Sequence, residues 1–371
     1  MQITRYLEDQ LSNDLKEKMV ILAGPRQVGK TSLSKMINPK SSLYLNYDIT
    51  TSRRRILNEE FGPEKLWILD EIHKYKKWRN LLKGFYDAHH EKHQILVTGS
   101  ARLDLMRKSG DSLQGRYHYL RLHPLSVAEL KMKTQKELQS LFELGGFPEP
   151  FFSGSKAKAD RWTNEYQARV IRDEIRDIER ISDLGLFEQL AYRMPECVSS
   201  PLSLNALRED LQINFATVKR WVEVLERFYA IFRIPVFGSP KIKAVKKEQK
   251  HYHFDWNIIE SEGARFECLV AAHLIKHANY LEDTLGKRME LRFFRDIEGR
   301  ETDFILTEKS KPILAVECKL SDEDISKSLF YFKNKFPEIP AWQIHLKGKK
   351  DYLSKTGIRV APAIELLRDL T

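Results

Sequence analysis

Cysteine is scarce in this chain. Its 371 residues hold only Cys197, Cys268 and Cys318, too few and too scattered for a disulfide framework or a zinc site. They read as reduced intracellular thiols. The amino-terminal run Met1-Gln2-Ile3-Thr4-Arg5-Tyr6-Leu7-Glu8 lacks the apolar core of a secretion signal. No apolar run approaches membrane-spanning length either. The longest stretch, around Phe228 to Phe237, is broken by Arg233 and Pro235. A cytoplasmic protein with no membrane span is therefore expected. Acidic residues are outnumbered, 52 against 62 basic ones, which gives a formal net charge of +10. That excess points to a polyanionic partner, nucleic acid before anionic membrane, and DNA is the preferred form.

What is present is a well-charged globular composition, 42% hydrophobic and 31% charged, in a chain long enough for two or three domains. Its most specific segment is Gly24-Pro25-Arg26-Gln27-Val28-Gly29-Lys30-Thr31, which fits the phosphate-loop pattern G-x-x-x-x-G-K-[ST]. Chance matches arise in roughly one chain per hundred of this length. The short apolar run Met19–Ala23 precedes it as a strand, and Ser32 to Ile37 follows as a helix start. A glycine-rich turn opening a helix points backbone N–H groups at a phosphate. Lys30 is expected to reach the β- and γ-phosphates of ATP, Thr31 to ligate Mg²⁺, and Ser32 to complete the nucleotide cradle.

The run Leu66-Trp67-Ile68-Leu69-Asp70-Glu71 is an apolar strand ending in two carboxylates, the form of a Walker B strand. Asp70 is expected to hold Mg²⁺ through water, and Glu71 to polarise the attacking water as general base. ATP hydrolysis is the leading expectation. Strands are expected at 19–23, 43–47, 66–70, 94–98 and 118–122, alternating with helices, hence a parallel sheet with its ligand at the strands' carboxyl ends. After the fourth strand, Ser100 is a candidate γ-phosphate sensor, or simply part of a turn. Arg116, in Ser112-Leu113-Gln114-Gly115-Arg116, is the best arginine-finger candidate, acting in cis or from a neighbouring copy; a surface ion pair is the other reading. Assembly into a homo-oligomer is left open.

Beyond residue 135 the pattern turns helical. Ser203–Leu211 and Phe215–Leu225, joined by a tight turn at Asn214, have the cadence of a helix-turn-helix exposing Thr217, Lys219 and Arg220. A helical hairpin used only for packing gives the same pattern. Lys241-Ile242-Lys243-Ala244-Val245-Lys246-Lys247 is a candidate basic wing, or a solvated charge run. The last third has an α-β-β-β-α-β order. In its third strand Glu317 and Lys319 share a face, while Cys318 is expected to turn away into apolar packing with Val316. With Asp303 on the neighbouring strand and Glu267 on the preceding helix they form a D…E-x-K cluster. Its carboxylates suit Mg²⁺, and its lysine suits a water beside a scissile phosphate.

These motifs resemble a prokaryotic family of AAA+-type ATPases that join a P-loop domain to a C-terminal domain of uncharacterised function related to PD-(D/E)XK nucleases. The resemblance rests on the phosphate loop, Leu69-Asp70-Glu71-Ile72-His73-Lys74, Thr98-Gly99-Ser100, Leu113-Gln114-Gly115-Arg116-Tyr117 and His123-Pro124-Leu125-Ser126. It continues through Gly145-Gly146-Phe147-Pro148-Glu149, Thr302-Asp303-Phe304 and Val316-Glu317-Cys318-Lys319. It implies an α/β chain with an AAA+-like P-loop NTPase domain over 1–135, a helical, winged-helix-like region over 136–240 and a nuclease-like domain over 241–371. By similarity Lys30, Thr31, Asp70 and Glu71 take ATPase roles, Asp303, Glu317 and Lys319 nuclease-core positions, and Glu267 the helix carboxylate. A nuclease-like fold kept as a docking surface, under an ATP-dependent switch, is the alternative.

Overall fold

The computed structural model describes residues 3–99, 113–175, 181, 183–238 and 249–371. Ser100, Ser112 and the basic run 241–247 lie outside the described residues. The chain divides into two compact units, Met1–His123 and Pro124–Thr371. The segments expected to part at residue 240 thus belong to one unit.

In the first unit, five strands form a parallel sheet: β1 (Met19–Ala23), β2 (Ser42–Asn46), β3 (Leu66–Asp70), β4 (Gln94–Thr98) and β5 (Tyr117–Arg121). Their order is β2-β3-β4-β1-β5, with every neighbouring pair parallel. Helices α1 (Glu8–Asp14), α2 (Lys30–Met36), α3 (Thr50–Leu57) and α4 (Trp78–His89) connect and flank them. All five residues of β1 and of β3 are buried, as expected when helices cover both faces of a parallel sheet. The apolar runs Met-Val-Ile-Leu-Ala and Leu-Trp-Ile-Leu are therefore continuous rather than alternating.

The second unit begins with α5 (Gln135–Leu144), α6 (Pro148–Ser153) and α7 (Lys156–Arg169), the last continuing as a π-helical turn over Val170–Ile175. Thr134 starts α5 with a capping box, accepting from Glu137 N while the Glu137 carboxylate accepts from Thr134 N. Next come α8 (Leu184–Arg193), α9 (Leu204–Asp210), α10 (Phe215–Arg227) and the antiparallel pair β6 (Ile231–Pro235) and β7 (Gln249–His253). A long helix α11 (Glu262–Leu285) then precedes β8 (Met289–Arg295), β9 (Glu301–Glu308), β10 (Lys311–Lys319), α12 (Lys327–Lys335) and β11 (Ala341–His345). This is the α-β-β-β-α-β order expected from the sequence. Beyond it lie β12 (Tyr352–Leu353), β13 (Ile358–Pro362) and α13 (Ala363–Leu367), which the sequence reading did not foresee.

The six-stranded sheet runs β12-β13-β11-β10-β9-β8. It is antiparallel through β8, β9 and β10 and parallel from β10 to β11 and from β11 to β13. Ile305, Ala315, Ala341 and Ile358 pack with Leu329 and Phe332 of α12, filling the core between sheet and helix. No helix among the described residues is long and apolar enough to cross a membrane.

Candidate functional site

Gly24 and Gly29 frame the loop after β1 with φ of +142° and +103°, backbone that favours glycine. Gly24 is needed for a second reason. A Cβ there would lie 2.2 Å from the carbonyl oxygen of Leu122, just past β5. Pro25 and Val28 are buried, Arg26 half-buried and Gln27 exposed in left-handed backbone at the tip (φ 57°). Ser32 is exposed in the first turn of α2. Buried Arg5, which the sequence reading overlooked, donates to Val28 O and to His123 O, each at 2.6 Å, and so ties the loop to the segment after β5.

Lys30 is buried, and its ammonium donates to Gly24 O at 2.8 Å and Pro25 O at 2.6 Å, across the mouth of the loop. Burial lowers its pKa to about 8, against the pull of Glu71 and Asp70. Thr31 Oγ1 donates to Asp70 Oδ2 at 3.1 Å. Register explains this meeting. β4 lies between β1 and β3, so Ala23, Thr98 and Asp70 end their strands side by side at the sheet's carboxyl edge.

Asp70 takes two further donors, Thr98 Oγ1 at 2.7 Å and Tyr44 OH at 2.5 Å. Burial and the bond to Asp70 push the Tyr44 hydroxyl up to about 12, so it stays a donor. Tyr44 was missed in the sequence; its signal is position, one strand over from the Walker B strand. Glu71 follows in left-handed backbone (φ 57°), with His73 Nε2 3.4 Å from its Oε2. Burial first and the Asp70 charge second raise its carboxyl, while Lys30 opposes them. The residues here fit a nucleotide with Mg²⁺. A hydroxyl and a carboxylate oxygen stand together, a buried ammonium lies beside them, and a partly desolvated carboxyl comes next in sequence.

Arg116 is not part of this constellation within one chain. It precedes β5, whose first residue pairs with Met19, so it sits at the amino edge of the sheet. Five residues at ~3.3 Å each separate it from the carboxyl edge by about 16 Å. Its guanidinium pairs with Asp87 at 2.7 Å. The cis version of the finger is corrected by that geometry.

The second unit gathers the other expected residues. Glu267, Asp303, Glu317, Cys318, Lys319 and Glu323 line a cleft of about 330 Å³. Lys319 Nζ is 3.2 Å from Glu317 Oε1, whereas Glu317 Oε2 is buried with no hydrogen-bond partner. Burial, then Glu267 and Glu317, raise the Asp303 carboxyl well above its ordinary value. Burial also raises that of Glu317, offset by Lys319.

Cys318 lies where β10 has lost its pairing with β9 but keeps regular register with Ile344 of β11. β9 pairs with β10 only as far as Phe304 and Val316; beyond that point the strands part. Cys318 N then donates to Asp303 Oδ2 at 2.8 Å instead of to a ladder carbonyl, and the residue lines the cleft. Two residues unforeseen in the sequence complete the surroundings, Lys250 and Tyr252 of β7, both bonded to Glu267 Oε1. Among the described residues, no group of three or more His, Cys, Asp or Glu side chains is disposed to hold a metal ion by itself.

In the middle of this unit, Ser203 and Asn214 cap α9 and α10 through Ala206 N and Thr217 N. Val218, Trp221, Val222 and Leu225 turn inward on α10, which leaves Lys219 and Arg220 exposed and Thr217 half-exposed. Leu202 N donates to Gln249 O and Pro201 bridges Lys250, so a third short extended segment joins the β6–β7 pair.

Residues 16–131 match the AAA domain family. Residues 135–261 and 262–366 match two domains of unknown function, DUF8612 and DUF4143. The uncharacterized protein Rv2008c of Mycobacterium tuberculosis is 21% identical, the match covering 90% of this chain and 82% of that one. The uncharacterized protein MJ1637 of Methanocaldococcus jannaschii is 26% identical over 67% of this chain and 62% of its own. Among solved structures, the Walker-type ATPase PABY2304 of Pyrococcus abyssi aligns with a TM-score of 0.47 at 15% identity, over 71% of this chain and 96% of that one. The domain match and the parallel sheet with its phosphate loop together support an AAA-type P-loop ATPase domain in the first unit.

Proposed function

We propose that this protein binds and hydrolyses ATP with Mg²⁺, and that hydrolysis is coupled to nucleic acid, preferably DNA, held by the second unit. One observation carries the ATPase reading: Thr31 and Asp70, 39 residues apart in sequence, meet at 3.1 Å beside the buried ammonium of Lys30. Mg²⁺ with ATP would supply charge neutralisation for phosphoryl transfer. This chain's own residues do the rest. Gly24 to Ser32 cradle the phosphates, Lys30 turns from the Gly24 and Pro25 carbonyls to phosphate oxygens, and Thr31 and Asp70 hold the cation. Glu71 receives the proton of the attacking water, a role that its burial-raised affinity for a proton suits.

Support for nucleic acid comes from the net charge of +10 and from the exposed Lys219 and Arg220 on the second of two capped helices followed by a β-hairpin. The Asp303–Glu317–Lys319 cleft is the place where DNA cleavage would occur. A second reading has its own observation. Glu267 Oε1 is already taken by Lys250 and Tyr252, which favours a nucleotide-driven switch whose cleft only docks a partner.

Rates of ATP hydrolysis and DNA cleavage, with and without DNA, in the wild type, Lys30→Ala and Glu317→Ala separate these readings. Lys30→Ala is expected to abolish hydrolysis. Glu317→Ala is expected to spare hydrolysis and abolish cleavage. Cleavage absent from the wild type with both Mg²⁺ and Mn²⁺ leaves the switch; hydrolysis that survives Lys30→Ala overturns the ATPase.

A further inference from the structure

Lys250 is a charged side chain with almost no access to water, 1% exposed, set against the acidic cleft of the second unit. Its Nζ lies 2.6 Å from Glu301 Oε1 and 3.3 Å from Glu267 Oε1, and 5.4 Å from the centre of the Phe293 ring. Backbone pairing fixes it there: on β7 it opposes Ile234 of β6 on one side and bridges Pro201 on the other. Tyr252, two residues on and hence on the same face of the strand, donates its hydroxyl to the same Glu267 oxygen. Burial works against the Lys250 charge, yet Glu267, Asp303 and Glu301 outweigh it and raise its pKa.

Glu267 Oε1, which accepts from this ammonium and this phenol, has no lone pair left for a metal, so an ion could approach only through Oε2, close to the same ammonium. A divalent ion at Glu267 would stand next to the Lys250 ammonium in a poorly solvated site, where like charges repel strongly. Expelling Lys250 would cost more, because its ladder partners hold the backbone and removing one partner of a buried pair is strongly destabilising. Asp303 and Glu317 are placed differently. Both line the cleft, and Glu317 Oε2 is buried without a donor.

We propose that Lys250, held between Glu267 and Glu301, is a fixed internal cation that takes the place of a divalent ion at the Glu267 end of the cleft, so that Glu267 is no metal ligand and Asp303 and Glu317 alone remain to hold one. The proposal rests on reading the cleft as a cation site. It also shifts the sequence-based role of Glu267 from ligand to counter-ion.

The test is Mn²⁺ binding to the full chain without nucleotide, followed by the electron paramagnetic resonance of free Mn²⁺. Glu267→Gln is expected to leave wild-type affinity within twofold, while Asp303→Asn and Glu317→Gln each lower it at least tenfold. Lys250→Met is expected to raise affinity at least tenfold or add a second ion per chain, and Glu267→Gln in that background to cancel the gain. Lys250→Gln serves if Lys250→Met does not fold, as judged by circular dichroism. Loss of affinity in Glu267→Gln as large as in Asp303→Asn overturns the proposal. So does a folded Lys250 variant that binds Mn²⁺ no better than the wild type. ATP binding is measured on the same samples; its absence defeats the ATPase reading and leaves the Mn²⁺ comparison standing.

Discussion

In the proposed ATPase, Glu71 is the residue on which hydrolysis, as distinct from binding, would depend. It follows Asp70 in left-handed backbone and is largely buried, conditions that raise its affinity for a proton without removing it from the edge of the sheet. Glu71→Gln keeps the shape and deletes the proposed base. ATP affinity is expected to stay within about threefold while turnover falls by roughly 10²–10⁴; equilibrium binding and single-turnover rates measure the two separately, and unchanged turnover would remove Glu71 from the mechanism. Lys30 adds a pH signature. Burial lowers its pKa to about 8, so raising the pH through 8 removes the proton that a phosphate needs. Nucleotide affinity of the free protein is therefore expected to fall above pH 8, and titration calorimetry from pH 7 to 9.5 checks it. Gly24→Ala meets both a φ of +142° and a carbonyl oxygen at 2.2 Å. A loss on the order of 2 kcal/mol or a displaced loop follows, visible as a lower Tm together with weaker ATP binding.

At the scale of elements, strand periodicity was legible because the three central strands of the first sheet are buried and nearly uninterrupted apolar runs. Met19–Ala23, Leu66–Asp70 and Gln94–Thr98 stand where the pattern puts them. The partners at the end of β10 and the strands β12 and β13 were not legible. Cys318 N is free to bond Asp303 Oδ2 because β9 leaves β10 after Val316, a parting that residue order does not reveal. Helix α10 offers the prediction proper to this scale. Its buried stripe of Val218, Trp221, Val222 and Leu225 fixes which side faces outward. The double variant Lys219→Ala, Arg220→Ala is expected to weaken duplex DNA binding and to lower the slope of log affinity against log salt by about 2. Fluorescence anisotropy between 50 and 200 mM salt, as approximate limits, reads this out. Equal affinity for both proteins would leave α10 a packing helix.

Across the molecule, buried histidines give the second unit a pH dependence of its own. His251 Nε2 bonds Met194 O at 2.8 Å, and His273 Nε2 accepts from Val127 N at 3.1 Å, so each ring is held in one neutral form. Burial lowers His251 and His273 to about 4 and His253 to about 3. Unfolded histidine titrates near 6.5, so the unfolded chain binds more protons than the native one below that value. The associated stability is fully present above about pH 6.5 and is lost as pH falls towards 4. Each histidine contributes about 1.4 kcal/mol per pH unit in that window. Hydrogen exchange at pH 7, 6 and 5, followed in peptides spanning 249–285, is expected to show progressive loss of protection; constant protection would contradict the neutral assignments.

The sequence by itself determined the phosphate loop, the Walker B pair, the parallel sheet and the order of elements in the last third. Each of these follows from glycine at fixed spacing or from apolar runs of strand length, which are local properties of the chain. Only the tertiary structure decided who surrounds them. Tyr44 and Thr98 reach Asp70 because β2 and β4 flank β3 on either side, and Arg5 braces the loop from a segment that precedes the first strand. Arg116 lies at the wrong edge of the sheet for a cis role because β5 runs parallel to β1. Lys250 reaches Glu267 because a strand of the hairpin pairs beside the long helix that carries that carboxylate. Contacts of this kind join residues tens of positions apart, and residue spacing along a chain carries no record of which strands become neighbours.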